Sequence, residues 1–265
     1  MRAGFVQTKQ VYGRKKDNIE QALELIKDIK ADILVLPELF STGYLFPSKK
    51  EAARYAESVP EGKTVRMFKS LAKKNKCSYV FGIVENKSGK TYNSAVYVTP
   101  KGKVNVYRKV HLFYKEPQIF AKGNIKFKPY PFYEYKIGVM ICFDYIFPEA
   151  CRALALQGAD LICHPSNLVL DYCQKAMQTR SLENRIFTIT ANRVGSDSNA
   201  GETLKFTGKS QITDPEGNVL LRAGATKPVV RHREIDLKKA SDKNPTEFNH
   251  LFGDRRTEFY KRLMK

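Results

Sequence analysis

The chain has 265 residues, 42% of them hydrophobic, which is enough to bury a sizeable core. We expect one domain over residues 1–265, because no Pro/Gly/Ser-rich linker or low-complexity tract interrupts the apolar segments. No apolar run of about 18 residues is present to span a membrane, and residues 1–7 are typical of a strand rather than a signal peptide. We therefore expect no membrane partner and a location in the cytoplasm.

The formal net charge of +19 raises the alternative of a nucleic-acid-binding protein. The basic residues are instead spread in short clusters, such as those at 14–16, 73–74 and 238–239, with acidic residues between them. No RNP, zinc-finger or basic-zipper motif occurs, so we expect no dedicated nucleic-acid partner. The five cysteines are an odd number without metal-ligand spacing, which fits a reducing cytoplasm and predicts neither a metal nor another cofactor.

Hydrophobic periodicity predicts a repeated order of elements. Helices are predicted over residues 18–29, 64–76, 148–157 and 174–185. Strands are predicted over residues 33–37, 104–113 and 136–141, and hairpins over residues 93–104 and 209–219. Residues 31–38 are echoed by residues 159–166, each after a helical stretch, so the second half of the chain resembles the first. Two such halves predict two sheets packed face to face with helices outside, although periodicity alone establishes only an α/β class.

Three predicted strands end in residues that can carry chemistry. Glu38 follows a buried strand, where a carboxylate needs a partner. Lys109 lies near the end of the strand at 104–113, and Cys142 closes the strand at 136–141. A helix that begins after the cysteine would favour its thiolate. Taken singly, these residues also fit a capping carboxylate, a solvated lysine and a small core hydrophobe.

Together the three residues resemble the Glu-Lys-Cys triad of the nitrilase superfamily of carbon–nitrogen hydrolases. The matching motifs are Leu36-Pro37-Glu38 with Gly43-Tyr44, then Tyr107-Arg108-Lys109-Val110-His111-Leu112, then Gly138-Val139-Met140-Ile141-Cys142-Phe143-Asp144 with Phe147-Pro148-Glu149. The likeness continues through His164-Pro165-Ser166-Asn167, Arg180-Ser181-Leu182-Glu183-Asn184-Arg185, Ala191-Asn192-Arg193-Val194-Gly195, Phe206-Thr207-Gly208-Lys209-Ser210 and Asp254-Arg255-Arg256. The resemblance thus covers nearly the whole chain in the expected order.

The resemblance implies a four-layer αββα sandwich and a hydrolase that cleaves a non-peptide C–N bond with release of ammonia. Cys142 would attack a small linear amide or N-carbamoyl amine to form a thioester, and Glu38 would act as general base and then acid. Lys109 and the backbone N–H of Phe143 would stabilise the oxyanion, and Glu116 would support the lysine. A water molecule activated by Glu38 would then release the acid.

The residues after the nucleophile bear on the choice of substrate. Phe143 and Asp144 resemble the aromatic-Asp pattern of amidase and carbamoylase branches, whereas many nitrilases carry Trp-Glu there. A nitrilase acting on small aliphatic nitriles stays open as the alternative. The residues expected to bind substrate in a narrow pocket are Phe40, Phe113, Tyr145, His164, Asn167 and Tyr172.

The resemblance also implies a homodimer. In this superfamily, subunits pair through the helices that follow the nucleophile and through the segment that matches residues 174–185. The C-terminal segment commonly packs across that contact. Here Leu251, Phe252, Phe259 and Tyr260 recur at spacings that would give a C-terminal helix an apolar face.

Overall fold

The computed structural model describes residues 1–199 and 201–264. The strands in this part of the chain are β1 (Arg2–Gln7), β2 (Ile33–Val35), β3 (Ser78–Lys87), β4 (Lys90–Val98), β5 (Val104–Arg108), β6 (Tyr130–Phe132), β7 (Tyr135–Val139), β8 (Leu161–Pro165), β9 (Phe187–Ala191), β10 (Ser196–Asn199), β11 (Glu202–Lys205), β12 (Gln211–Thr213), β13 (Val219–Arg222) and β14 (Val229–Glu234). The α-helices are α1 (Lys15–Ile26), α2 (Lys49–Tyr55), α3 (Lys63–Asn75), α4 (Glu116–Ile119), α5 (Pro148–Leu156) and α6 (Cys173–Leu182). Shorter 3-10 helices cover Cys142–Ile146, Leu237–Ala240 and Thr257–Met264.

Most strands belong to two six-stranded sheets built on the same plan. The first sheet has the order β14-β1-β2-β3-β4-β5, and the second has the order β13-β12-β9-β8-β7-β6. In each sheet three strands pair in parallel, β1 to β3 in the first and β7 to β9 in the second. Antiparallel strands flank them on both sides. The internal repeat in the sequence predicted two such similar halves.

Alternating side chains of the strands fill the spaces between layers. In β1, Val6 packs in the cluster formed with α1 and α3, whereas its neighbour Phe5 packs in the cluster shared with the second sheet. On the far side of the second sheet, Leu154 of α5 and Met177 of α6 are fully buried. Burial of each such side chain contributes roughly 1.5–3 kcal/mol. The predicted four-layer αββα sandwich is therefore confirmed.

The predicted helices are present as α1, α3, α5 and α6, with small differences at their ends. The structure adds the short helices α2 and α4, which the periodicity did not indicate. Pro148 opens α5 in its first turn, and Gly158 follows the helix with a φ of +85°. Proline fits a first turn because its nitrogen carries no hydrogen, and glycine adopts positive φ without strain.

The predicted C-terminal helix is wrong. Residues 251–254 form turns, and the 3-10 helix Thr257–Met264 is interrupted by a kink at Tyr260. His250 prevents a regular helix here, because its Nδ1 accepts the backbone N–H of Gly253 (2.9 Å) and its own N–H binds Asp254 Oδ2 (2.9 Å). Such local bonds compete with helical backbone pairing. Phe259 is consequently 70% exposed instead of lying on a packed apolar face.

No helix within residues 1–199 and 201–264 is long and apolar enough to cross a membrane. The same residues include no group of three or more His, Cys, Asp and Glu side chains placed to hold a metal ion. All five cysteines are buried free thiols.

Candidate active site

Glu38 lies just beyond β2 at the edge of the first sheet. Its side chain is fully buried, and its Oε1 accepts hydrogen bonds from Asn93 Nδ2 and Lys109 Nζ, both at 2.7 Å. Its Oε2 has no hydrogen-bond partner in the described part of the chain. Gly82 of β3 makes this position possible, since a Cβ there would lie 2.5 Å from the Cα of Glu38. One carboxylate oxygen is thus anchored and the other is free to take a proton.

Lys109 leaves the first sheet directly after β5. Its N–H still binds the carbonyl of Asn93 in β4 (2.9 Å), but its carbonyl accepts from Gly123, so the strand predicted over 104–113 ends early. Its ammonium lies 2.7 Å from both Glu38 Oε1 and Glu116 Oε1. Burial by itself would lower the pKa of Lys109, but the charges of Glu116 and Glu38 outweigh it and raise that pKa. The lysine therefore stays protonated.

Glu116, the first residue of α4, completes this buried charge cluster. Its Oε2 accepts the backbone N–H of Phe113 (2.9 Å), and its Oε1 accepts from Lys109 and, at 3.3 Å, from Asn93. Burial raises the pKa of Glu116, while the adjacent ammonium acts in the opposite direction. Glu116 thus ties the ammonium of Lys109 to the loop at Phe113.

Cys142 occupies a sharp turn between β7 and the 3-10 helix Cys142–Ile146. Its φ of +42° is unusual for a residue with a side chain, and such strained conformations cluster at functional sites. Cys142 as a whole is 4% exposed. Burial and the nearby Glu38 raise the pKa of Cys142, and this outweighs the opposite effects of Lys109 and the backbone N–H of Asn167. Burial thus opposes the thiolate that was expected at a helix N-terminus, and the 3-10 helix that follows is only 5 residues long.

Asp144, to which the sequence assigned no role in the site, fixes the turn at Cys142 relative to Lys109. Its fully buried carboxylate accepts from the backbone N–H of Ile141 (2.9 Å), the hydroxyl of Tyr107 (2.8 Å) and Nδ1 of His111 (2.8 Å). Tyr107 and His111 flank Lys109 at a spacing of two residues on each side. This spacing in the sequence is the signal that could have identified a common anchor.

Tyr44 is a second residue without an assigned role. Its side chain is 6% exposed, and its hydroxyl has no hydrogen-bond partner within the described residues. Burial raises the pKa of Tyr44, and the charges of Glu116 and Glu38 raise it further. The backbone N–H of Tyr44 is held by Asp197 Oδ2 (2.7 Å), which also pairs with the buried Arg193. This ion pair fixes the loop that brings the phenol to the charge cluster.

His164 lies beneath the turn at Cys142 and not on the wall of the pocket beside that residue, which corrects the expectation that it binds substrate. Its Nε2 donates to the carbonyl of Cys142 (2.8 Å), and its Nδ1 contacts the hydroxyl of Thr190 (3.2 Å). The ring is fully buried, and burial lowers the pKa of His164 to about 4. It is thus a neutral support beneath the turn at Cys142, with both ring nitrogens occupied.

Phe113, Tyr145 and Asn167 do line a pocket beside Cys142. Its other lining residues are Phe143, Leu168, Val169 and Leu170. The pocket is narrow, with about 10 Å³ of free space, roughly what one water molecule needs. The space around Met1, Tyr133 and Arg233 is larger, about 690 Å³, but it is remote from the charge cluster.

Two other expected pocket residues lie elsewhere. Phe40 is fully buried against Phe68 and Phe81 in the core between the first sheet and its helices. Leu39, with a φ of +47°, breaks the alternation after Glu38 and turns Phe40 away from the site. Tyr172 is 47% exposed and reaches only the outer side of Tyr145, with a ring separation of 6.3 Å.

The arrangement can support nucleophilic chemistry. It combines a thiol, a carboxylate with one free oxygen, and a permanently charged ammonium in a site that excludes bulk water. In such a site, charge interactions are stronger than in water.

The carbon–nitrogen hydrolase family model matches residues 2–243. The chain is 44% identical over 246 residues to a nitrilase from Pyrococcus abyssi, with 92% of each chain covered. It is 33% identical over 237 residues to an (R)-stereoselective amidase from a Pseudomonas species, covering 86% of this chain and 83% of the relative. A carbon–nitrogen hydrolase structure from Helicobacter pylori matches with a TM-score of 0.89 at 27% identity, covering 100% of this chain and 98% of the other. A family match of this extent, on a fold that carries the cysteine, lysine and glutamate together, makes the chain a member of the carbon–nitrogen hydrolase family.

Proposed function

We propose that this enzyme hydrolyses a non-peptide C–N bond of a small linear amide or N-carbamoyl amine, with release of ammonia. The observation that carries the proposal is the buried ammonium of Lys109, held at 2.7 Å by both Glu38 and Glu116 next to the thiol of Cys142. An ammonium held in this way keeps its charge and its position. It therefore stabilises negative charge that develops on a substrate oxygen without having to reorganise.

In the first half of the reaction, Glu38 takes the Sγ proton on its free Oε2 while Cys142 attacks the carbonyl carbon. The new S–C bond pushes the carbonyl electrons onto oxygen, where Lys109 and the backbone N–H of Phe143 donate hydrogen bonds. The tetrahedral intermediate then collapses to a thioester, and Glu38 returns the proton to the departing nitrogen. Ammonia leaves when the substrate is a primary amide.

In the second half, Glu38 removes a proton from a water molecule that attacks the thioester carbon. The C–S bond breaks, the carboxylic acid is released, and the proton returns to Cys142. Because the pKa of Cys142 is raised in the free protein, the thiolate forms only as the proton passes to Glu38. Glu38 is therefore needed in the first half to accept the thiol proton, and it is needed in the second half to activate water.

A nitrilase activity on small aliphatic nitriles is the second candidate, favoured by the 44% identity to a protein named nitrilase. Attack of Cys142 on a nitrile carbon would give a thioimidate. Addition of water and loss of ammonia would then give the same thioester. The charge cluster suits either substrate, because attack by Cys142 places negative charge on the atom bonded to the attacked carbon. This atom is the oxygen of an amide or the nitrogen of a nitrile.

Ammonia release from a panel of short aliphatic amides, N-carbamoyl amines, mononitriles and dinitriles tests the proposal. We expect turnover of amides or carbamoyl amines by the native enzyme and none by Cys142→Ala. The matched control variants are Cys151→Ala and Cys163→Ala, which remove buried thiols from the core. Activity that persists in Cys142→Ala, or that is lost specifically in Cys151→Ala, would contradict the assignment.

We also propose a cytoplasmic homodimer. Leu156 of α5, Leu182 of α6 and Tyr260 in the C-terminal segment are 43%, 54% and 42% exposed, which supports a partner surface on the elements that the resemblance implies. The buried free thiols fit a reducing compartment. Light scattering should give about twice the 30.3 kDa mass of one chain, and truncation after Pro245 should weaken the assembly. An active full-length monomer at micromolar concentration would contradict the dimer.

A further inference from the structure

The pocket beside Cys142 contains buried polar atoms that the proposed mechanism leaves unused. Oδ1 and Nδ2 of Asn167 and the hydroxyl of Tyr145 lack a hydrogen-bond partner among residues 1–199 and 201–264. The two side chains are only 3% and 2% exposed. Buried groups of this kind are normally paired. Since both residues line the pocket, a group that binds there can supply their partners.

The remaining pocket wall is apolar. Its residues are Phe113, Phe143, Leu168, Val169 and Leu170. None of the described lining residues is Lys, Arg, Asp or Glu, and the neighbouring charges of Glu38, Glu116 and Lys109 already pair with one another. A charged group at the remote end of a substrate would therefore lose its hydration without gaining a counter-ion.

We infer that this pocket selects small substrates whose remote end is uncharged and forms hydrogen bonds with Asn167 and Tyr145. The inference rests on the proposed function of the same site. A remote carboxamide on the substrate suits Asn167 best. Its N–H can donate to Oδ1 of Asn167, and its oxygen can accept from Nδ2. A remote nitrile offers an acceptor to Nδ2 only. The substrate class is thus neutral and two-ended, with a reactive amide or nitrile carbon at Cys142 and a second neutral polar group.

Four amides of nearly equal shape test the selection. Malonamide carries a neutral carboxamide at the remote end, malonamate a carboxylate, malonamamidine an amidinium and isovaleramide an isopropyl group. We expect kcat/KM for malonamide, halved for its two equivalent ends, to exceed that of isovaleramide by about tenfold, since a hydrogen bond contributes of that order. We expect malonamate and malonamamidine to fall below malonamide by at least about tenfold, because each buries an unpaired charge.

Two variants assign the selection to the named residues. In Asn167→Leu, the malonamide to isovaleramide ratio of kcat/KM should fall about tenfold, towards unity. Tyr145→Phe removes only the hydroxyl, so it covers the case in which Asn167→Leu does not fold, and it should lower the same ratio. Asn86→Leu, at an exposed position of β3, is the matched control and should leave the ratio unchanged.

The possible outcomes separate this inference from the proposed function. A native enzyme that hydrolyses all four amides equally, or prefers a charged one, overturns the inference but leaves the amidase proposal standing. An unchanged ratio in both Asn167→Leu and Tyr145→Phe also overturns it. If the four amides, their nitrile counterparts and N-carbamoyl amines are all inert, both proposals fail. Efficient turnover of N-carbamoylputrescine, whose remote amine is cationic at neutral pH, would overturn the inference alone.

Discussion

Replacement of Lys109 gives the sharpest test of the charge cluster. Lys109→Met keeps the length of the side chain but leaves the buried carboxylates of Glu38 and Glu116 without their common counter-ion. Removal of one partner from a buried pair costs about 3–5 kcal/mol of folding free energy. Loss of one oxyanion donor costs a further factor of about 10²–10³ in kcat. We expect a destabilised protein with activity near background.

Lys109→Arg separates charge from shape. The guanidinium keeps the positive charge, but it is planar and wider than an ammonium, and the site around Lys109 is fully buried. Overpacking should cost about 1–3 kcal/mol of stability, and the displaced donor should still lower kcat by about 10²-fold. Ammonia release and chemical denaturation measure the two effects. The exposed controls Lys73→Arg and Lys239→Arg should behave like the native enzyme. Activity of Lys109→Arg equal to that of these controls would refute the role of the ammonium.

Three further predictions follow from the supporting residues. Asp144→Asn replaces one acceptor oxygen with a donor amide, so it should lower the free energy of unfolding, measured by denaturation, by about 1.5–3 kcal/mol. It should also lower kcat more than it raises KM, and an unchanged kcat would exclude a positioning role. Gly82→Ala would place a Cβ 2.5 Å from the Cα of Glu38 and should abolish activity, whereas Gly224→Ala, where no atom lies within 4 Å, should not. The pKa of His164 falls from 6.5 to about 4 on folding, so the unfolded chain binds a proton more readily than the folded protein. The stability that comes from the neutral ring is therefore complete above pH 6.5 and is lost as the pH falls towards 4. This loss amounts to about 3 kcal/mol at most, and His164→Asn should flatten the decline of the denaturation midpoint between those pH values.

The sequence predicted the candidate catalytic residues best where they lie at or near the end of a strand. Glu38 and Cys142 each close a predicted strand, Lys109 lies inside the strand predicted over 104–113, and the structure brings Glu38 and Lys109 into contact. These positions were accessible because strand ends can be recognised from local apolar runs. The layer order of the sandwich also followed from the repeated halves, once the resemblance had specified how such halves pack.

The errors have local physical causes that periodicity does not reveal. Positive φ angles at Leu39 and Cys142 break the alternation of side chains, which sends Phe40 into the core and shapes the turn of the nucleophile. The pKa of Cys142 depends on burial and on a carboxylate distant in sequence, so a helix N-terminus was a poor guide to it. Asp144 was not assigned, because its hydrogen-bond donors come from two different segments and only the spacing of Tyr107 and His111 indicated a shared acceptor.

The strand β14 has a consequence for how the molecule is made. It is the outermost strand of the first sheet, yet it comes from the far end of the chain and pairs with β1 along its full length, from Arg2 to Gln7. During synthesis, the β1 edge is therefore unprotected until residues 229–234 have left the ribosome. An open apolar edge is a template for pairing between nascent chains. Once in place, β14 presents the exposed charged side chains of Arg231, Arg233 and Glu234, which discourage further strand addition. The late strand β14 thus covers the open edge of the first sheet.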